Sequence, residues 1–214
     1  MNSEKSAREA ARICGLAPVV PVLVIDDVAT ARPLAEALVA GGLPALEVTL
    51  RTPVALEAIA EMANVPGGVV GAGTLLTPAD VEAAINAGAL FGVSPGVTDR
   101  LLDACEAAEL PLLPGAATAT EAMALLERGY VTQKFFPAEA SGGVAALKAI
   151  GAPIPQVRFC PTGGVSPANA PDYLALSNTV CVGGSWVAPK TMIEAGDWAG
   201  ITDLALAAAG LARS

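Results

Sequence analysis

The chain contains no histidine among its 214 residues. The usual general base near neutral pH is therefore missing, and acid–base chemistry falls to carboxylates, lysine, tyrosine or water. Zinc sites built on cysteine and histidine are excluded by the same absence. The four cysteines (Cys14, Cys105, Cys160, Cys181) form no C-x-x-C pair, and they read as reduced packing thiols, so no metal is expected. Long apolar runs are lacking as well: none approaches the roughly 18 residues that cross a bilayer. The opening segment MNSEKSAREAARICGLAP has no hydrophobic stretch followed by a cleavage site, which leads us to expect a cytoplasmic protein. The 12 basic residues form no cluster in a chain of net charge −9. A nucleic-acid backbone and an anionic membrane are thus excluded as partners, and a small molecule fits better.

What the chain has in quantity is apolar residues. They make up 53% of it, mostly Ala, Val and Leu, spread evenly rather than in a block. Length and even composition predict one domain with a large core. Short apolar or β-branched runs alternate with Ala-rich stretches of helical spacing. The runs are Val19 to Ile25, Ala45 to Leu50, Val69 to Thr74, Ala89 to Ser94, Leu110 to Gly115, Tyr130 to Phe136, Val157 to Gly164 and Thr179 to Gly184. Helices are predicted over Val28 to Ala40, Pro53 to Ala63, Pro78 to Ala87, Thr98 to Ala108, Thr120 to Arg128 and Gly142 to Ile150. The tail from Trp198 to Ala212 reads as a final helix, and residues 2 to 14 as an extra one before the first strand. Thr77-Pro78 and Ser166-Pro167 each place a hydroxyl at a helix N-cap and a proline at the first helical position.

Eight βα units without a second composition regime predict an α/β fold. Closure into a single (β/α)8 TIM barrel over residues 1–214, with residues 1–17 as an N-terminal helix and lead-in, shares one interior and leaves no sheet edge. An open doubly wound sheet is the rival architecture.

In such a barrel the site lies at the C-terminal strand ends, where polar residues interrupt apolar runs. Glu47, Thr49 and Arg51 are two apart, so strand alternation puts them on one face. A Glu47–Arg51 ion pair on a solvated face is the plainer alternative. Lys134, one of four lysines, sits within YVTQKFFP, where alternation groups it with Thr132 and Phe136. Strands of a parallel barrel are covered on both faces, so a charge there needs a reason. An ordinary amine, with a pKa of about 10.4, is neutral to only about 0.04% at pH 7. Burial beside Phe136 and a cation such as Arg51 would both favour the nucleophilic form. Farther along, Pro161-Thr162-Gly163-Gly164 and Val182-Gly183-Gly184-Ser185 pair glycines at the seventh and eighth strand ends. Those are the places where barrels hold phosphate on backbone N–H groups.

These residues resemble the 2-keto-3-deoxy-6-phosphogluconate aldolase family, which also handles 4-hydroxy-2-oxoglutarate in many members. The resemblance covers roughly residues 16 to 205. It rests on PVLVIDD, GLPALEVTLRTP, VGAGTLLTP, GVSPG, LPGAATATEA, KFFPA, PTGGV and VGGSW in family order. It implies a cofactor-free class I aldolase, usually a homotrimer, acting on a phosphorylated keto acid. In that family the lysine of K-F-F-P, here Lys134, forms the Schiff base, and the glutamate of L-E-V-T-L-R, here Glu47, moves protons. Arg51 and Thr74 would hold the pyruvate carboxylate, and Pro95 and Phe136 would shape the pocket around the pyruvyl group. Thr162, Gly163, Gly164, Gly184 and Ser185 fall to the hydroxyl and phosphate end. Two rivals stay open: a 2-keto-3-deoxy-6-phosphogalactonate aldolase or other pyruvate-dependent aldolase, and a non-catalytic phosphosugar-binding barrel.

Overall fold

A computed structural model of the chain describes residues 3–213. The apolar runs form short parallel strands: β1 (Val19–Leu23), β2 (Ala45–Thr49), β3 (Val69–Gly73), β4 (Phe91–Val93), β5 (Leu112–Leu113), β6 (Gly115–Ala116), β7 (Thr132–Phe135), β8 (Arg158–Pro161) and β9 (Val182–Gly184). Six of them, in the order β5-β4-β3-β2-β1-β9, make a curled parallel sheet that is half of a barrel wall; β6-β7-β8 make a second parallel ladder. Parallel bridges Phe159↔Thr179 and Thr162↔Gly183 link the β8 segment to the β9 segment. On the other side β5 and β6 are separated by Pro114 alone. A proline cannot donate to a ladder, so the one strand expected over Leu110 to Gly115 becomes two short ones.

The helices are α1 (Ser3–Cys14), α2 (Ala31–Ala40), α3 (Ala55–Met62), α4 (Pro78–Asn86), α5 (Asp99–Ala107), α6 (Ala119–Glu127), α7 (Gly143–Gly151), α8 (Ala170–Leu174), α9 (Lys190–Ala195) and α10 (Trp198–Ala209). Residue 2 of the expected first helix, and residues 1, 2 and 214 of the expected domain, lie outside the described residues. The Thr77 cap forms as expected: its Oγ1 accepts from Asp80 N at 3.2 Å, and the Asp80 carboxylate accepts from Thr77 N at 2.8 Å. The Ser166 cap does not. Ser166 donates through both its N–H and its hydroxyl to Asn169 Oδ1, and α8 begins only at Ala170. The helix expected from Val28 opens as a 3-10 turn over Val28–Thr30, because Asp27 Oδ1 accepts from Ala29 N at 3.0 Å and tightens the first turn. The tail helix stops at Ala209 rather than Ala212.

Strand alternation divides the interior in two. Leu46 and Val48 of β2 face the helices and pack with Leu34, Leu38 and Ile59 in the larger core. Ala45 of the same strand faces into the curl, where Val20, Phe91, Val93, Leu113, Cys160 and Cys181 form a second core. Each large aliphatic side chain so buried contributes about 1.5–3 kcal/mol. Ile13 and Cys14, at the end of α1, join this inner core and close it at the N-terminal ends of the strands. All four cysteines are free and buried. Apolar packing fills one end of the curl; polar side chains are left to the other, where the strands finish. Among the described residues no helix is long and apolar enough to cross a membrane.

Candidate active site

Glu47 sits in the middle of β2, in register with Val22 of β1 and Gly71 of β3. Lys134 sits in β7, in register with Gly115 and Cys160, and its N–H donates to Pro114 O at 2.8 Å. The inward parity of both strands points the two side chains at each other. Lys134 Nζ donates to Glu47 Oε1 at 3.1 Å, with 5% and 3% of the two residues exposed. The amine also lies 5.2 Å from the centroid of the Phe136 ring. The ion-pair partner of Glu47 is therefore Lys134, not Arg51. The neighbouring charge that Lys134 feels in hydrogen-bond contact is a carboxylate rather than the expected cation.

Gly73 of β3 makes this approach possible: a Cβ there would come within 2.4 Å of Glu47 Oε1. Thr49 is tied up structurally, its hydroxyl donating to Leu23 O at 2.8 Å. Arg51 follows β2 and is exposed, and among the described residues its guanidinium has no carboxylate partner. Thr74 has φ 65°, a left-handed conformation that is costly for a β-branched residue, and it stands where β3 ends.

These side chains enclose a cavity of about 150 Å³ lined by Val22, Glu47, Thr49, Arg51, Thr74, Pro95, Lys134, Phe136 and Thr162. A second lobe of about 190 Å³ shares Val22, Arg51, Phe136 and Thr162 with it, and continues to Gly163, Gly164, Val165, Gly183, Gly184 and Ser185. Gly163 and Gly164 have φ of 100° and 79°. Among the described residues their N–H groups have no acceptor, a feature suited to an incoming anion. At Gly184 the Trp186 ring packs so closely that a Cβ would fall 1.8 Å from it. All eleven residues singled out from the sequence thus line these two lobes. Val22, Val165 and Gly183 line them too and were not among those eleven. The inward parity of Val20 in PVLVI, and the other glycine of the V-G-G-S run, were the signals that could have found Val22 and Gly183.

A buried amine in hydrogen-bond contact with a carboxylate suits carbonyl chemistry, in which an amine captures a keto group as an imine and a carboxylate moves protons. An α/β fold with such a pair at its strand ends is suited to a lysine-dependent enzyme. Residues 10–204 match the family described as aldolase, KDPG and KHG aldolase, and the chain belongs to that family of lyases. A 2-dehydro-3-deoxy-phosphogluconate aldolase of Pseudoalteromonas atlantica is 54% identical over 88% of each chain. Two solved structures are similar. The 2-keto-3-deoxy-6-phosphogluconate aldolase of Zymomonas mobilis, with 3-phosphoglycerate, is 52% identical, with a TM-score of 0.93 over 97% of this chain and 98% of that one. The KDPG aldolase of Legionella pneumophila, with pyruvate captured as a covalent carbinolamine intermediate, is 48% identical, with a TM-score of 0.91 over 94% and 98%.

Proposed function

We propose that this chain is a class I aldolase that cleaves 2-keto-3-deoxy-6-phosphogluconate to pyruvate and glyceraldehyde 3-phosphate through a Schiff base on Lys134, and that it cleaves 4-hydroxy-2-oxoglutarate to pyruvate and glyoxylate by the same steps. The observation that carries this reading is the buried contact of 3.1 Å between Lys134 Nζ and Glu47 Oε1 at the strand ends. The carbinolamine of the Legionella relative supports it, since that species is the first covalent step of such a reaction.

Lys134 passes a proton to Glu47 and its nitrogen attacks the C2 carbonyl. Glu47 returns that proton to the carbinolamine hydroxyl, which leaves as water, giving an iminium and a free Glu47 carboxylate. Glu47 then removes the C4 hydroxyl proton; the C4–O bond becomes the aldehyde carbonyl, the C3–C4 bond breaks, and its electron pair goes to the iminium as an enamine. Protonation at C3 and hydrolysis release pyruvate and return the amine. The iminium is the electron sink, so the sequence of steps requires no metal or cofactor. Arg51 holds the pyruvate carboxylate with its two-pronged guanidinium, and the Thr74 hydroxyl assists. Pro95 and Phe136 wall the pyruvyl group. Thr162, Ser185 and the N–H groups of Gly163, Gly164 and Gly184 take the hydroxyl and phosphate end. The 3-phosphoglycerate of the Zymomonas relative is an anion of the kind this lobe would hold.

The same reading treats the two ladders, joined through the Pro114 and Thr162↔Gly183 connections, as one closed (β/α)8 barrel with α1 as its extra helix. It is a single domain over residues 1–214, cytoplasmic and homotrimeric. Borohydride reduction in the presence of pyruvate tests the function. The expected result is a reduced pyruvyl adduct mapped to the peptide containing Lys134; no adduct, or one on another lysine, overturns the reading.

A further inference from the structure

We propose that Tyr173 and Glu139 are a positioning pair that sets the shape of the glycine lobe, and through it the affinity for the phosphorylated tail of the aldol. The inference rests on the function proposed above. Neither residue lines the lobe; both act through Gly163 and Gly164.

Glu139 lies in the turn after β7, five residues beyond Lys134. Its N–H donates to Gly163 O at 3.0 Å, and a Cβ at Gly164 would come within 2.6 Å of Glu139 Cγ. The Glu139 side chain therefore presses on the loop from behind. From the other direction Asn169 Nδ2 donates to Gly164 O at 3.2 Å. With both glycine carbonyls drawn into the protein, the positive φ angles are held and the N–H groups stay unpartnered.

Glu139 is itself a problem for an anion site, because a carboxylate close to a phosphate repels it. Tyr173 of α8 resolves this. Its ring is fully buried and its hydroxyl donates to Glu139 Oε1. The same oxygen lies 3.4 Å from where a Gly143 Cβ would be, so the carboxylate is turned toward the start of α7. Burial, and next the bond to Glu139, push the Tyr173 hydroxyl well above its ordinary range, which keeps it a donor at working pH. One hydroxyl thus fixes the carboxylate that fixes the loop.

The test compares Tyr173→Phe, Glu139→Ala and Glu139→Gln in two assays. One is cleavage of the phosphorylated aldol. The other is exchange of the pyruvate methyl protons with deuterated solvent, which needs Lys134 and Glu47 but no phosphate. Losing one such hydrogen bond predicts a KM for the phosphorylated aldol about tenfold higher in Tyr173→Phe and Glu139→Ala, with kcat and pyruvate exchange within about twofold of wild type. Glu139→Gln keeps an acceptor for the hydroxyl and retains a KM within about threefold. An unchanged KM in the first two variants, or pyruvate exchange that falls in step with it, overturns the pair's role. Glu139 is exposed, so if Tyr173→Phe fails to fold, the Ala and Gln variants decide alone. Wild type that gives no borohydride-trapped pyruvate would instead refute the aldolase reading itself, which keeps the two failures apart.

Discussion

Lys134 and Glu47 meet across 87 residues of sequence, on strands from different ladders, with a hydrogen bond of 3.1 Å and almost no solvent. A buried ion pair contributes little net stability when intact, but breaking it is costly because one charge is left alone. Lys134→Met is therefore expected to abolish turnover and to destabilise the fold by about 3–5 kcal/mol through the orphaned Glu47. The double variant Lys134→Met/Glu47→Gln should recover most of that loss while remaining inactive. Denaturant unfolding measures both; a double variant no more stable than Lys134→Met would show that the loss has another cause.

Glu47→Gln retains an oxygen for Lys134 but removes the charge that pairs with it and the capacity to accept a proton. A kcat lower by about two to four orders of magnitude is expected, with the folded state preserved. An unchanged kcat would take Glu47 out of the chemistry.

Parity explains most of what was legible beforehand. Thr132, Lys134 and Phe136 alternate with Gln133 and Phe135 in a strand covered on both faces, and the structure keeps that division: Lys134 and Phe136 line the cavity, while Phe135 packs in the outer core and Gln133 Nε2 donates to Ala122 O at 3.0 Å. The partner of Glu47 was not legible, because it depends on how the sheet curls and not on neighbours in sequence. The break at Pro114 was hidden inside an apolar run. Helices α8 and α9, at five and six residues, are too short for helical period to stand out. The left-handed Thr74 leaves no mark in composition at all.

Arg51 is exposed and lacks a carboxylate partner among the described residues, so its replacement should disturb binding without disturbing the fold. Arg51→Lys keeps the charge but loses the two parallel bonds to a carboxylate. An increase of about tenfold in the concentration of pyruvate needed for half-maximal borohydride trapping is expected, with the thermal midpoint unchanged. Trapping at wild-type concentrations would remove Arg51 from carboxylate recognition.

Stability toward alkali should carry the signature of a buried thiol. Burial, with the Glu106 charge second, raises Cys105 to about 12 from an ordinary 9. Its folded-state value lies above its unfolded one, so the stabilisation is complete below about pH 9 and is lost as pH rises toward 12. Between those limits the unfolded chain has shed a proton that the folded chain keeps, and stability should fall by at most about 1.4 kcal/mol per pH unit from this group. Cys105→Ala should flatten that slope by a comparable amount in urea titrations at pH 8 and pH 10; an identical slope would place the alkaline sensitivity elsewhere.

Gly73 offers a way to disturb the pair without touching either member. It lies in β3 in register with Thr49, and its φ is not among the positive ones, so alanine suits its backbone. The added Cβ, however, would lie 2.4 Å from Glu47 Oε1 and 2.9 Å from its Cδ, closer than any real contact. The carboxylate must swing away, and with it the acceptor for the Lys134 proton. Gly73→Ala is expected to lower kcat by about tenfold or more, since proton transfer demands hydrogen-bond reach of about 2.6–3.2 Å. Ala72, the preceding residue, faces the outer core, so Ala72→Gly in the same strand loosens β3 without approaching Glu47 and serves as the control. If both variants slow the reaction equally, the effect belongs to the strand rather than to the displaced carboxylate.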